Sequence, residues 1–132
     1  NHGKTLSQII IMASLIEKEV SDSNDRKVVS GILWKRIKIG MPLQVDASLT
    51  YAIGKNTFQL TDEDLKIDSP YNTYAHYGLP LGAISNPGLG AILAAIHPTD
   101  SPYLYYLSDK DGRIHFAVTF DEHVRNKLKY LK

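Results

Sequence analysis

The sequence predicts an α+β domain that is rich in helix and contains one small antiparallel β-hairpin. Three observations lead to this prediction. Apolar residues recur at helical spacing in several segments, and two short alternating segments flank a turn sequence in the last third of the chain. The length of 132 residues is that of one domain with a sizeable core. We therefore expect residues 1–132 to form a single domain.

Composition excludes several classes of protein. Hydrophobic residues make up 43% and charged residues 22% of the chain, which excludes a disordered or low-complexity sequence. A net charge of +1 is not the basic excess of a nucleic-acid-binding domain. With no cysteine, disulfide bonds, thiolate metal sites and a cysteine nucleophile are impossible. The chain opens without an initiator Met or a signal-peptide pattern, and we expect it to be part of a longer protein.

Two helices are expected in the N-terminal part of the chain. Thr5 and Gln8 fit a capping box, and the apolar residues that follow surround the first helix almost completely. A helix of this kind is buried on nearly all sides. The second helix should begin with Asn24 or Asp25 as its cap and end at Gly40.

The middle of the chain is expected to contain short helices and one long loop. Asp46 is the predicted cap of a helix over 47–53, and Thr61 with Asp64 predicts a further helical turn. The segment 68–90 is rich in Pro and Gly, yet it carries several tyrosines. We therefore expect a long loop that is ordered and functional.

The C-terminal part is expected to form a helix, a hairpin and a last helix. The predicted helix covers 89–96, and the strands cover 103–107 and 113–118. Thr119 with Glu122 is a second capping box, which begins the last helix. The residues of that helix expected to point inward are Val124, Leu128 and Leu131.

Two carboxylates lie at the end of the apolar first helix. On a helical wheel Glu17 falls within the main apolar stripe, whereas Glu19 lies on another face, beside other apolar residues. At least one of them must therefore meet an apolar wall, which raises the pKa of a carboxyl group and suits a general acid. The wheel favours Glu17 as the more buried of the two. The alternative is that both are structural, with one paired to Arg or Lys.

Two further segments carry side chains that suit a polar ligand. Gln44, Asp46 and Ser48 alternate along a segment that, if extended, would point them to one side. The alternative is that Asp46 only caps a helix.

The long loop carries Tyr71, Asn72 and Tyr74, whose rings and amide match the apolar face and the hydroxyls of a sugar. The alternative is a surface loop held by aromatic packing. The histidines show no metal-ligand spacing, and no serine-nucleophile motif is present.

These motifs, in this order, make the chain resemble the YceG-like family, also called MltG, of membrane-anchored endolytic murein transglycosylases. The strings that carry the resemblance are ASLIEKE at 13–19, RIKIGMPLQVD at 36–46, YNTY at 71–74, GLPLGAISNPG at 78–88, HP at 97–98, PYLYY at 102–106, HF at 115–116 and Thr119.

The resemblance implies a catalytic domain with a lysozyme-like active-site helix. Such a domain cleaves the bond between N-acetylmuramic acid and N-acetylglucosamine within peptidoglycan strands and leaves a 1,6-anhydro end. It implies that Glu19 is the catalytic acid, and Glu17 is the second choice. Val20 follows Glu19, where many lytic transglycosylases carry Ser or Thr. The expected substrate-binding residues are Glu17, Gln44, Asp46, Ser48, Tyr71, Asn72 and Tyr74.

The resemblance also sets expectations beyond the site. It implies no cofactor and no metal, an anchor upstream of this chain, and a catalytic domain on the outer side of the cell membrane. Peptidoglycan strands are the expected partner, cell-wall synthases are further candidates, and nucleic acid is not expected. Two alternatives stay open: a peptidoglycan-binding module without activity, and a glycoside hydrolase that uses Asp46 as a second carboxylate.

Overall fold

The computed structural model describes residues 3–131 and confirms the α+β prediction; residues 1, 2 and 132 of the predicted domain lie outside this range. Helices enclose the core, and one antiparallel hairpin packs beside them. The elements are α1 (Leu6–Glu19), α2 (Ser23–Ile39), α3 (Asp46–Ile53), α4 (Leu89–Ile96), β1 (Tyr105–Ser108), β2 (Ile114–Ala117) and α5 (Phe120–Tyr130), with 3₁₀ turns at Thr57–Gln59 and Asp64–Lys66.

Helix α1 is the central helix of the domain, as its composition predicts. The capping box is present, since Thr5 Oγ1 accepts from the Gln8 amide at 3.1 Å and Gln8 Oε1 accepts from the Thr5 amide at 2.8 Å. The helix packs against α2, α3 and α4. Its fully buried residues are Met12, Ala13, Ser14, Leu15 and Ile16. The middle of α1 is therefore enclosed, whereas in its last turn Glu17 and Glu19 are partly exposed and Lys18 is exposed.

Helix α2 ends as predicted but begins earlier. Asp22 is the cap, and its carboxylate accepts from the Asp25 amide at 3.0 Å, so the prediction of Asn24 or Asp25 as the cap was wrong. Gly40 ends the helix at φ 77°, the left-handed conformation that glycine adopts without strain. Gly31 of the same helix lies against the backbone of Thr99, where a side chain would not fit.

Helix α3 differs from the prediction at its first residue. Val45 is the cap and provides no side-chain hydrogen bond, and Asp46 is the first helical residue. The prediction that Asp46 caps the helix was therefore wrong. The extended strip of Gln44, Asp46 and Ser48 is also contradicted, because side chains two residues apart in a helix point in different directions.

The hairpin and α5 complete the fold. Tyr106 of β1 pairs with Phe116 of β2, and both side chains face the helical core. Helix α5 packs on the hairpin, but Leu128 and Leu131 are 61% and 49% exposed, so the prediction that both point inward was wrong. Each strand has only four residues, and the hairpin is too short to cover the last turns of α5.

The structure has no helix or strand over 68–88, where the long loop is predicted, and a 3₁₀ turn lies at Asp64–Lys66, close to the predicted helical turn. The 3₁₀ turn at Thr57–Gln59 was not predicted. Within residues 3–131 no helix combines the length and hydropathy that crossing a bilayer requires.

Candidate active site

Glu19 is the last residue of α1 and turns its carboxyl group toward the hairpin. The Tyr106 hydroxyl donates to Glu19 Oε1 at 2.6 Å. Glu19 keeps a partly exposed surface, although protein atoms surround its carboxyl group. Burial raises the pKa of Glu19 to about 7; the Tyr106 hydrogen bond opposes this, and the charge of Asp46 adds to it. The carboxyl group is therefore half protonated near neutral pH.

A second carboxylate, Asp46, lies close enough to act on Glu19 electrostatically. The Tyr74 hydroxyl donates a hydrogen bond to Asp46 Oδ1. Burial, together with the charges of Asp46 and Glu19, raises the pKa of Tyr74 far above its ordinary value, so this hydroxyl keeps its proton. The site therefore contains two tyrosine–carboxylate pairs, Tyr106–Glu19 and Tyr74–Asp46. The four residues come from α1, α3, β1 and the long loop.

Arg36 is the buried cation beside these pairs. It is 5% exposed, and it donates to the carbonyl oxygens of Leu43 and Leu104 at 2.8–2.9 Å. Burial lowers the pKa of Arg36, and the neighbouring tyrosines Tyr106, Tyr105 and Tyr74 oppose that shift. Arg36 therefore fixes the chain before α3 and the strand that carries Tyr106.

A cavity of about 250 Å³ opens beside the Tyr74–Asp46 pair. Threonine hydroxyls, leucine side chains and a second aspartate line it, so it offers both polar and apolar contacts. The lining residues are Asp46, Thr57, Leu60, Thr61, Asp62, Leu65 and Tyr74. A second cavity, of about 360 Å³, lies on the loop around Asp68 and Leu81 and includes neither pair.

Glu17 has the opposite environment to Glu19. Its Oε1 accepts from the Gly88 amide at 2.8 Å, and its Oε2 accepts from Arg26 at 3.0 Å. The Gly88 hydrogen bond and the Arg26 charge lower the pKa of Glu17. The helical-wheel prediction that Glu17 is the more buried carboxylate was therefore wrong. A helical wheel cannot show that Arg26 of α2 and the amide of Gly88, which precedes α4, lie beside the carboxylate of Glu17.

Two of the expected substrate-binding residues lie in the interior. Ser48 is fully buried and bonds to Val45 O at 3.1 Å and to Thr73 Oγ1 at 3.2 Å. Asn72 is fully buried, donates to Leu65 O and Ile67 O, and accepts from the Tyr74 amide. Both therefore hold the segments that carry Asp46 and Tyr74.

The other two expected residues lie at the surface. Gln44 is exposed and adopts φ 53°, a left-handed conformation that is uncommon for a residue with a side chain. Tyr71 is half-buried, and its ring lies 5.2 Å from that of Tyr51. Of the predicted set, the structure brings Glu19, Asp46 and Tyr74 together and places Glu17 elsewhere.

Sequence reasoning missed Tyr106 and Arg36. Alternation along the strand was a usable signal for Tyr106, since it places Tyr106 and Tyr105 on opposite faces. No local signal connects Tyr106 to Glu19, which lies 87 residues away in the chain. Residues 3–131 contain no cluster of three or more His, Asp or Glu side chains arranged to hold a metal ion.

Comparisons with known proteins agree with the motifs. The model of the YceG-like family matches residues 1–129. An endolytic murein transglycosylase of Bacillus subtilis is 41% identical over 96% of this chain, and one of Streptococcus pneumoniae is 35% identical over 96%. This chain spans only 35% and 24% of the length of those relatives.

A crystal structure of a YceG-like protein from Listeria monocytogenes superposes with a TM-score of 0.87 at 39% identity. The match covers 94% of this chain and 41% of that one.

Proposed function

The chain belongs to the YceG-like family, and on that basis we propose that it is the catalytic domain of an endolytic murein transglycosylase. Its substrate is the glycan strand of peptidoglycan, cut within the strand between N-acetylmuramic acid and N-acetylglucosamine. One observation carries the proposal: at the end of α1 the carboxyl group of Glu19 is enclosed by protein atoms and accepts from the Tyr106 hydroxyl at 2.6 Å. Burial there raises the pKa of Glu19 to about 7. Such a group donates a proton and takes one back at neutral pH.

The first step breaks the glycosidic bond. Protonated Glu19 gives its proton to the bridging oxygen, the bond from that oxygen to C1 of the muramyl residue breaks, and the sugar on the other side leaves with a free hydroxyl. Positive charge develops at C1 in an oxocarbenium-like state. Glu19 is then a carboxylate beside that charge.

The second step forms the anhydro end. The C6 hydroxyl of the same muramyl residue attacks C1, and its proton passes to Glu19, which regains its starting form. No water molecule enters the product. The nucleophile belongs to the substrate, so the rate benefits from the high effective molarity of an intramolecular reaction.

The residues around Glu19 fall into two groups, those that a sugar can reach and those that lie within the fold. Asp46 and Tyr74 line the neighbouring cavity, and Gln44 and Tyr71 are accessible on adjoining segments; these are the candidates for sugar contacts. Ser48 and Asn72 act indirectly, through the segments that they hold. Glu17 has a structural role, since both of its oxygens are bonded within the fold.

Mass analysis of the products tests the proposal. Purified sacculi are digested with the wild-type chain, with Glu19→Gln, and with Glu63→Gln as a control at an exposed glutamate. We expect wild type and the control to release fragments with anhydro ends, one water lighter than hydrolysed ends. Glu19→Gln should be at least about 100-fold slower, as expected for loss of a general acid.

Other outcomes identify the alternatives. Full activity of Glu19→Gln would remove Glu19 as the acid. Reducing ends in place of anhydro ends would indicate a hydrolase in which Asp46, the neighbouring carboxylate, activates water. Binding to sacculi without release of fragments would indicate a binding module.

The substrate also determines the proposed location. Peptidoglycan lies outside the cytoplasmic membrane, so this domain works on the outer face, attached through an anchor elsewhere in a longer protein, with cell-wall synthases as candidate partners. Protease added to spheroplasts should digest this domain, and full protection from the protease would contradict the proposed location.

A further inference from the structure

The hydrogen bond between Tyr106 and Glu19 distinguishes the two oxygens of the carboxyl group. The Tyr106 hydroxyl lies 2.6 Å from Oε1 and, within residues 3–131, has no other hydrogen-bond partner. A buried hydroxyl without an acceptor is unfavourable, so the Tyr106 proton is directed to Oε1. When Glu19 is protonated, Oε1 therefore acts as an acceptor, and the acidic proton belongs on the other oxygen.

Resting on the proposed function, we propose that Tyr106 is a positioning residue for the catalytic acid. Its hydroxyl holds Glu19 Oε1, so that Oε2 carries the proton and delivers it to the glycosidic oxygen. The catalytic acid lies on helix α1, and the residue that orients its carboxyl group lies on strand β1 of the hairpin.

The fold makes Tyr106 a rigid support. Its strand partner Phe116 stacks on Tyr103 with ring centroids 5.2 Å apart, and Arg36 bonds the carbonyl of Leu104 just before the strand. These contacts hold the strand that carries Tyr106 and so fix where its side chain begins beside Glu19, as positioning of a proton donor requires.

Within the described residues, the other charged or titratable groups around Glu19 make no hydrogen bond to its carboxyl group, because each has a different partner. Asp46 and Tyr74, from α3 and the loop, bond to each other, and Arg36 donates to backbone carbonyls. Asp46 acts on Glu19 only through its charge, which favours the protonated form. Tyr106 favours the charged form, so removing its hydroxyl should move the pKa of Glu19 upward.

The experiment compares Tyr106→Phe with Tyr105→Phe across a range of pH. Tyr105 is the matched control: it lies on the same strand, its ring packs against His123 on the opposite face, and its hydroxyl makes no hydrogen bond within the described residues. Tyr105→Phe keeps the ring, which lies 5.4 Å from the guanidinium of Arg36. For Tyr106→Phe we expect kcat to fall about tenfold to a hundredfold below neutral pH. The alkaline limb of the kcat profile should move to higher pH. Tyr105→Phe should change neither the value of kcat nor the position of the alkaline limb.

A second variant keeps the test decisive if Tyr106→Phe does not fold. Fluorotyrosine at position 106 keeps the hydroxyl but makes it a stronger donor, so the alkaline limb should move to lower pH. An unchanged limb in the folded variants would overturn the role of Tyr106. If Glu19→Gln is inactive while Tyr106→Phe behaves as wild type, only this inference fails. If Glu19→Gln is active, the proposed acid fails first.

Discussion

Glu17 and Glu19 lie two residues apart in one helix and have opposite electrostatic environments. Glu17 accepts hydrogen bonds from Arg26 and the Gly88 amide, and these contacts lower its pKa. The carboxyl group of Glu19 is surrounded by protein atoms, and burial raises its pKa to about 7. The helix presents the two carboxylates to different neighbours, so one acts as a permanent anion in the fold and the other can exchange a proton.

The first prediction concerns activity as a function of pH. In the proposed mechanism Glu19 must carry a proton to start the reaction, and its pKa of about 7 means that the protonated fraction falls as pH rises through that value. Release of fragments from sacculi should therefore decline about tenfold per pH unit well above 7. A rate that keeps rising to pH 9 would contradict this assignment.

The second prediction concerns stability as a function of pH. In the unfolded chain Glu19 titrates near 4.5, and in the folded protein near 7, so the folded state binds more protons between these values. Its contribution to the free energy of unfolding is therefore lost as pH rises from about 4.5 to about 7. The shift corresponds to about 3 kcal/mol.

Glu19→Gln isolates that contribution. Urea denaturation at pH 5 and pH 8.5 should show the variant gaining stability relative to wild type at the higher pH. If the difference in free energy of unfolding between the variant and wild type were the same at both pH values, Glu19 would not be desolvated.

The third prediction concerns Glu17→Gln. The variant weakens the pairing with Arg26 and should lower the free energy of unfolding by about 1 kcal/mol at pH 7, since both side chains are partly exposed. The pKa of Glu17 is lowered, so its contribution is present above the unfolded value and disappears as pH falls through the folded value. The difference from wild type should therefore vanish in acid. A loss of stability that is the same at all pH values would contradict the ion pair.

The fourth prediction concerns the approach of α2 to the segment after α4. A Cβ atom on Gly31 would lie 2.1 Å from the carbonyl oxygen of Thr99, and the clash is with backbone, which does not easily move. Gly31→Ala should therefore cost about 1–3 kcal/mol or more in thermal denaturation. Gly90→Ala is the control, because the nearest neighbour of its added Cβ is the terminal Nη1 atom of the Arg26 side chain at 3.1 Å, and not backbone. Similar melting temperatures for the two variants would contradict this packing.

Much of the fold follows from local signals. The capping box at Thr5 and the glycine at position 40 define the ends of two helices through backbone hydrogen bonds that short sequence motifs encode. Asp46 shows the limit of such signals. Its carboxylate bonds to Tyr74, 28 residues away, instead of capping α3, and a distant partner of this kind leaves no local mark.

The candidate site likewise has some residues that local motifs indicate and others that only distant contacts bring into place. Periodicity favoured Glu17, and only the family motif pointed to Glu19, because burial at the end of α1 depends on elements far along the chain. Tyr106 is 87 residues from Glu19, and the interior positions of Ser48 and Asn72 result from loop packing. The sequence therefore predicts Glu19, Asp46 and Tyr74, whereas Tyr106 and Arg36 join the site only through tertiary packing.

The proposed mechanism needs a carboxyl group that holds its proton near neutral pH. Carbon-13 NMR of the chain labelled at glutamate side chains, with Glu19 assigned by comparison with Glu19→Gln, measures this directly. We expect a titration midpoint for Glu19 near 7 and a midpoint for Glu17 lower than that of an ordinary glutamate. A midpoint for Glu19 at or below 4.5 would contradict the proposed mechanism.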